Sequence, residues 1–151
     1  MDNIDRQIIR ALQKDGRMTN LELAASVNLS PSPCLRRLRA LEENGIIKGY
    51  SADIDSKAYG LPVTAFIGIK LGKHTETAVK QFEERVKRMD EVLECHVLTG
   101  ATDYFLKVMV SGLEEYESFI RKQIHPIGDI ASIDSSFVYG TVKNTHVYPL
   151  L

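Results

Sequence analysis

The sequence predicts an α+β protein built of two small domains, and three observations carry that prediction. Residues 1–45 hold three short runs of helical periodicity separated by tight breaks. Residues 62–140 alternate strand-like and helical runs in the order βαββαβ. Between them, residues 51–61 are rich in Asp, Ser, Lys and Gly and end before Pro62. A length of 151 residues suits this division, with 44% hydrophobic residues to build cores and 26% charged residues to solvate them. No repeat or low-complexity stretch interrupts the pattern.

The first element is a helix. Ile4, Ile8, Ala11 and Leu12 fall on one stripe of a 3.6-residue period, Asp2 is placed to cap the start, and Asp15-Gly16 marks the end. A second helix opens at Thr19, where Thr19-x-x-Glu22 forms a capping box ahead of Leu21, Ala24 and Val27; it stops near Asn28. Ser30-Pro31-Ser32-Pro33 is excluded from helix interior, because each proline lacks an N–H and restricts the residue before it. Ser32 as N-cap with Pro33 in the first helical position is the expected start of a third helix. Leu35, Leu38 and Leu41 give that helix a core stripe, and Asn44-Gly45 ends it. Three short, tightly joined helices read as a winged-helix-like helix-turn-helix domain over residues 1–50. Residues 46–50 are a short β-prone run, and residues 51–61 read as strand or linker at the domain boundary.

The second half has a different rhythm. Residues 63–71 alternate apolar and polar side chains and predict a strand. Val79, Phe82, Val86 and Met89 form a helical stripe. Residues 92–99 and 104–110 predict two strands joined by the tight connection 100–103. Ser111-x-x-Glu114 reads as a capping box for a helix with Leu113, Tyr116, Phe119, Ile120 and Ile124 on one side, stopped by His125-Pro126. Residues 130–139 predict the last strand. This order, over residues 62–140, is the ferredoxin-like arrangement: an antiparallel sheet with two helices on one face, followed by a tail at 141–151. The other sheet face invites pairing with a second subunit.

Composition sets the functional bounds. No apolar run approaches the ~18 residues of a membrane span, and residues 1–10 carry acids with no apolar block, so neither span nor secretory signal is expected. Two cysteines, Cys34 and Cys95, are too few for a disulfide framework and suit a reducing cytoplasm; both are expected as small core side chains. Four scattered histidines with no paired ligand spacing argue against a structural metal site, so no metal or other cofactor is expected. Cys95 and His96 are neighbours on a strand and point to opposite faces, against a nucleophile pair.

The net charge of −1 at first speaks against nucleic acid, but the distribution is local. Residues 1–60 hold nine Lys/Arg and eight Asp/Glu; the remainder holds ten and twelve. Between Leu23 and Asn44 the only cations are Arg36, Arg37 and Arg39, and no acid lies between Leu23 and Leu41. With Leu38 at the centre of the buried face, Arg36 points away from the core and Arg37 and Arg39 flank it by roughly 100° each. Such a helix fits a major groove: Ser32, Arg36 and Arg37 stand where base edges are reached, Arg39 and Lys48 where phosphates are held. The bland alternative is a solvated face with Glu42 and Glu43 pairing Arg39.

The string TNLELAASVNLSPSPCLRRLRALEENG, from Thr19 to Gly45, resembles the DNA-binding half of the Lrp/AsnC family, the amino-acid-responsive feast/famine regulators. The start Asn3-Ile4-Asp5-Arg6 and the continuation Gly45-Ile46-Ile47 are similar too, and the likeness covers essentially the whole chain. The resemblance implies a cytoplasmic, non-enzymatic transcription regulator that binds double-stranded DNA. It further implies a homodimer that assembles to a tetramer or octamer and responds to a small amino acid. Two recognition helices per dimer favour a pseudo-palindromic operator.

Thr99-Gly100-Ala101-Thr102-Asp103 is the densest polar cluster of the second half. Asp103 offers an ammonium partner; Thr99, Thr102 and the backbone at Gly100 offer donors to a carboxylate. Turn formation is the commoner use of Gly100 and Asp103. The string CHVLTGATDYFLKV resembles the family segment that contacts effector at a subunit interface, which implies roles for Gly100, Asp103 and Tyr104, with Leu98 at the wall and Ser135 and Ser136 closing the site. Ala101 stands where relatives commonly carry an acid, a difference that bears on effector affinity or identity. Two alternatives differ in class: an oligomeric amino-acid sensor that does not act on DNA, and a ferredoxin-like enzyme with a helical appendage, for which Asp103 with His96 is the candidate acid–base pair.

Overall fold

The computed structural model describes residues 1–149. They divide into two compact units, Met1–Asp53 together with the segment from Val142, and Ile54–Thr141.

The first unit contains α1 (Asn3–Lys14), α2 (Asn20–Ser26) and α3 (Pro31–Glu43). Asp2 caps α1 reciprocally: the Asp5 N–H donates to Asp2 Oδ1 and the Asp2 N–H to Asp5 Oδ2, both at 2.9 Å. Thr19 caps α2 as its sequence predicts, with the Thr19 N–H 2.7 Å from Glu22 Oε2. The Thr19 N–H, then its hydroxyl, hold the Glu22 carboxyl below the usual range. α2 ends on Asn28 in the left-handed region (φ 55°), and the Leu29 N–H returns 2.9 Å to the Ala24 carbonyl. α3 ends the same way on Gly45 (φ 68°), with Gly45 N–H to the Glu42 carbonyl at 2.9 Å and Ile46 N–H to that of Leu41 at 3.0 Å.

The start of α3 differs from the sequence expectation. Ser30, not Ser32, is the N-cap, and Ser32 lies inside the first turn. Both Pro31 and Pro33 fit there because first-turn N–H groups have no helical acceptor; the first helical bond is from Cys34 N–H to the Ser30 carbonyl at 3.2 Å. Ile8, Leu23, Ala24, Val27, Cys34 and Leu41 form the buried core. Residues 46–55 hold no strand. A strand needs a ladder partner; Ile47 instead packs onto the helical core, and Asp55 caps a short helix, α4 (Ser56–Tyr59), within the stretch read as strand or linker.

The segment from Val142 is more than a tail. It lies along α1, where Arg10 Nη1 donates to the Tyr148 carbonyl at 3.0 Å, Gln13 Nε2 to the His146 carbonyl at 2.7 Å, and the Tyr148 N–H to Gln13 Oε1 at 3.2 Å. His146 Nε2 is 2.9 Å from the Gln13 carbonyl.

The second unit contains β1 (Val63–Leu71), α5 (Glu76–Val86), β2 (Val92–Val97), β3 (Tyr104–Val110), α6 (Leu113–Phe119) and β4 (Ile130–Phe137), besides α4. α6 runs on through a π turn, Ile120–Ile124, and a 3-10 turn, His125–Ile127. The sheet order is β2-β3-β1-β4, wholly antiparallel, which is the expected ferredoxin-like arrangement. One face buries Ala65, Ile67, Ile69, Leu106 and Val108 with Phe82 of α5 and Phe119 of α6. The other face carries Phe66 and Phe105, stacked with ring centres 5.3 Å apart.

Five boundaries or burials in this unit depart from the sequence reading. β2 stops at Val97 and β4 at Phe137. Gly112 rather than Ser111 precedes α6, without a side-chain cap, and Leu113 is exposed. Cys95 is exposed, because β2 is an edge strand whose inner face borders an open groove with Glu83, Val86 and Val97.

Candidate functional site

On α3 the spacing i, i+4, i+7 places Ser32, Arg36 and Arg39 on one exposed stripe. Cys34 and Leu41 are buried on the opposite side. Among the described residues neither Arg36 nor Arg39 enters an ion pair. Glu42, a possible partner of Arg39, instead accepts from the Tyr50 hydroxyl at 2.8 Å. Burial, then Glu42, pushes that phenol up to about 12. Lys48 is exposed just beyond the α3 terminus.

Arg37 is placed differently. Its Nη1 donates to Asp2 Oδ2 at 2.7 Å and to Asp5 Oδ1 at 2.8 Å. The three-cation cluster of the sequence thus resolves into two arginines open to solvent and one engaged by the cap of α1.

In the second unit, the connection between β2 and β3 lies against the outer sheet face. Gly100 has φ +133°, which favours glycine. A Cβ at Gly68 would stand 3.0 Å from Thr102 Cγ2, so the missing side chain is what lets Thr102 rest on β1. Asp103 is built into this connection. Its N–H donates to the Ile69 carbonyl at 2.9 Å, and its Oδ2 accepts from the Leu71 N–H at 2.7 Å and from His74 Nε2 at 2.9 Å. Thus the carboxylate expected to hold an ammonium already has two donors. His74, then the Leu71 N–H, hold it below the ordinary carboxylate range.

The expected effector residues divide between the two sheet faces. Tyr104 points to the helices, buried against Phe82 with its hydroxyl donating to Glu83 at 3.0 Å; burial, then Glu83, pushes it up to about 12. Ser135 also faces the helices and bonds the Tyr116 hydroxyl. Ser136, opposite Phe66, faces the other way, as does Asp134 opposite Gly68. The outer face at this end therefore gathers Thr102, Ser136, Gly68 and Asp134, with Thr99 and Gly100 exposed beside it. Leu98 is also exposed. Period-two counting from Ser136 would have found Asp134 and separated Ser135. His96 approaches Glu94 at 3.2 Å and Asp103 pairs with His74, so the acid–base pair weighed from the sequence is not assembled.

Two results are expected here. Gly68→Val costs about 1–3 kcal/mol of stability through overpacking against Thr102, read by thermal melting. Asp103→Asn flattens the acid limb of stability. A carboxyl with a depressed folded pKa contributes stability that is complete above its unfolded value of about 3.9 and lost as pH falls through the folded value. Melting temperature against pH should therefore drop more steeply below about pH 4 in the parent than in the variant.

Comparison with known proteins gives this geometry its setting. The family described as Winged helix-turn-helix DNA-binding matches residues 1–48, and the Lrp/AsnC ligand binding domain matches residues 64–148. The chain belongs to the Lrp/AsnC family. The transcriptional regulator AzlB of Bacillus subtilis is 37% identical over 99% of this chain and 96% of its own. The leucine-responsive regulatory protein of Escherichia coli is 34% identical over 97% and 89%. A transcriptional regulator of Neisseria meningitidis, solved as an L-Met complex, superposes with a TM-score of 0.94 at 36% identity, covering 99% of this chain and 96% of that one.

In this Lrp/AsnC transcription regulator the helix-turn-helix match ends at Lys48, beyond the Arg-bearing stripe, and the ligand-binding match takes in all of the sheet after Val63. The functional candidates that sequence reasoning missed are Gly68, His74 and Asp134. Only Asp134 left a signal, its alternation with Ser136.

Proposed function

We propose that this Lrp/AsnC protein is a cytoplasmic, sequence-specific regulator that reads double-stranded DNA with α3. The observation that carries this reading is the exposed Ser32–Arg36–Arg39 stripe on a helix whose inner face is buried and whose end is fixed at Gly45. Ser32 and Arg36 meet base edges, and Arg39 and Lys48 hold phosphates. A homodimer, assembling to a tetramer or octamer, presents paired α3 helices to a pseudo-palindromic operator.

A small amino acid acts as effector at a subunit interface formed by the outer sheet face near Thr99, Gly100, Thr102 and Ser136. The names of relatives, one leucine-responsive and one bound to L-Met, support this class. Leu98 lines that site. Asp103 shapes it through Leu71 and His74, while Tyr104 and Ser135 support it from the helix side. Effector binding favours one assembly over another and so changes DNA affinity by linkage.

The test is titration of the protein against its own upstream DNA, with each of the twenty amino acids added in turn. A specific shift that weakens steeply with salt, and one amino acid that moves both affinity and sedimentation, is the expected result. No shift at low salt overturns the DNA reading. Twenty silent amino acids overturn the effector reading.

A further inference from the structure

We propose that Arg37 is a positioning residue for the DNA-reading helix, clasping the start of α1 to the side of α3, and is not itself a DNA contact. This rests on the DNA-binding reading above. The guanidinium donates from one nitrogen to two carboxylates, Asp2 at 2.7 Å and Asp5 at 2.8 Å. Those same carboxylates form the reciprocal cap of α1. One cation therefore joins a helix terminus to a neighbouring helix across more than thirty residues of chain.

Three features favour positioning over contact. First, half of the clasp is partly covered: the side chains of Arg37 and Asp5 are 32% and 15% exposed, so their attraction is less screened than that between Arg37 and the open Asp2, which is 53% exposed. Second, two carboxylates around one guanidinium leave a net charge of −1, which offers no attraction to phosphate. Reaching DNA would cost Arg37 both charge-assisted bonds and leave Asp5 without its cation. Third, Arg37 adjoins Arg36, so holding Arg37 from the flank steadies the stripe that carries Ser32, Arg36 and Arg39. The buried contacts at Cys34 and Leu41 seat the inner face of α3, and the clasp adds a directional hold beside them.

The test measures binding of the full chain to its upstream duplex over a range of salt. Arg39→Gln should lower the slope of log affinity against log salt by about one, as loss of a phosphate contact does. Arg37→Gln should weaken binding roughly tenfold with the parent slope, and Arg37→Lys should recover part of that loss. Asp5→Asn should also weaken binding, although removing a negative charge favours DNA electrostatically. A slope reduced by one in Arg37→Gln, or tighter binding in Asp5→Asn, overturns the proposal. Thermal melts without DNA check the clasp separately: Arg37→Gln and Asp5→Asn should be non-additive when combined, and additive losses also overturn it. If the parent fails to bind DNA while the melts show coupling, the DNA reading has failed and the clasp has not.

Discussion

Phe82→Ala should destabilise the sheet unit by about 3–5 kcal/mol, the largest effect of any substitution considered. Phe82 is 0% exposed and is among the largest fully buried side chains of the chain. It reaches from α5 onto the sheet and packs against Tyr104 with ring centres 4.4 Å apart. Truncation removes burial, opens a cavity and strips Tyr104 of its aromatic neighbour. For a domain stable by about 5–15 kcal/mol, this is a large fraction. Because the two units have separate cores, calorimetry should show one transition falling by on the order of 20 °C while the helical unit holds. A variant that melts within a few degrees of the parent would show that α5 does not anchor the sheet.

Arg36→Ala should cost about 1–3 kcal/mol of operator affinity per protomer and relax preference at one base pair of each half-site. Arg36 lies in the exposed stripe of α3, directly after Leu35 and opposite the buried Cys34–Leu41 side. No described acid holds it, so groove entry would not require breaking an ion pair. A guanidinium there matches the paired acceptors of a guanine edge. Binding to single-base variants of the operator separates the roles. Arg36→Ala should level the affinities at one position, whereas Arg39→Ala should lower all of them together. Equal loss on every duplex for Arg36→Ala would move it to the phosphate class.

What the sequence made legible was chiefly local. The caps at Asp2 and Thr19, the glycine stop at Gly45 and the two periodicities all act within a few residues, so neighbouring letters specify them. The strand order followed from βαββαβ connectivity. The starts of α3 and α6 were displaced locally, by two residues and one, whereas other departures depended on distant partners. Residues 46–50 have β-prone letters but no ladder partner. Arg37 looked like part of a basic face until Asp2 and Asp5 came to it from α1. Asp103 looked like a free carboxylate until Leu71 and His74 occupied it. Ser135 and Ser136 are adjacent letters, but strand alternation sends their side chains to opposite faces.

The strap that binds Arg10 and Gln13 through His146 and Tyr148 has a consequence for biosynthesis. These partners lie on the C-terminal side of the whole sheet unit, so they emerge from the ribosome only after that unit has been made. α1 waits for them with its Gln13 and Arg10 bonds unfilled. A nascent chain stalled before Val142 carries its helix-turn-helix without this last fastening, and the helical unit is finished after the sheet unit, although it is first in the message.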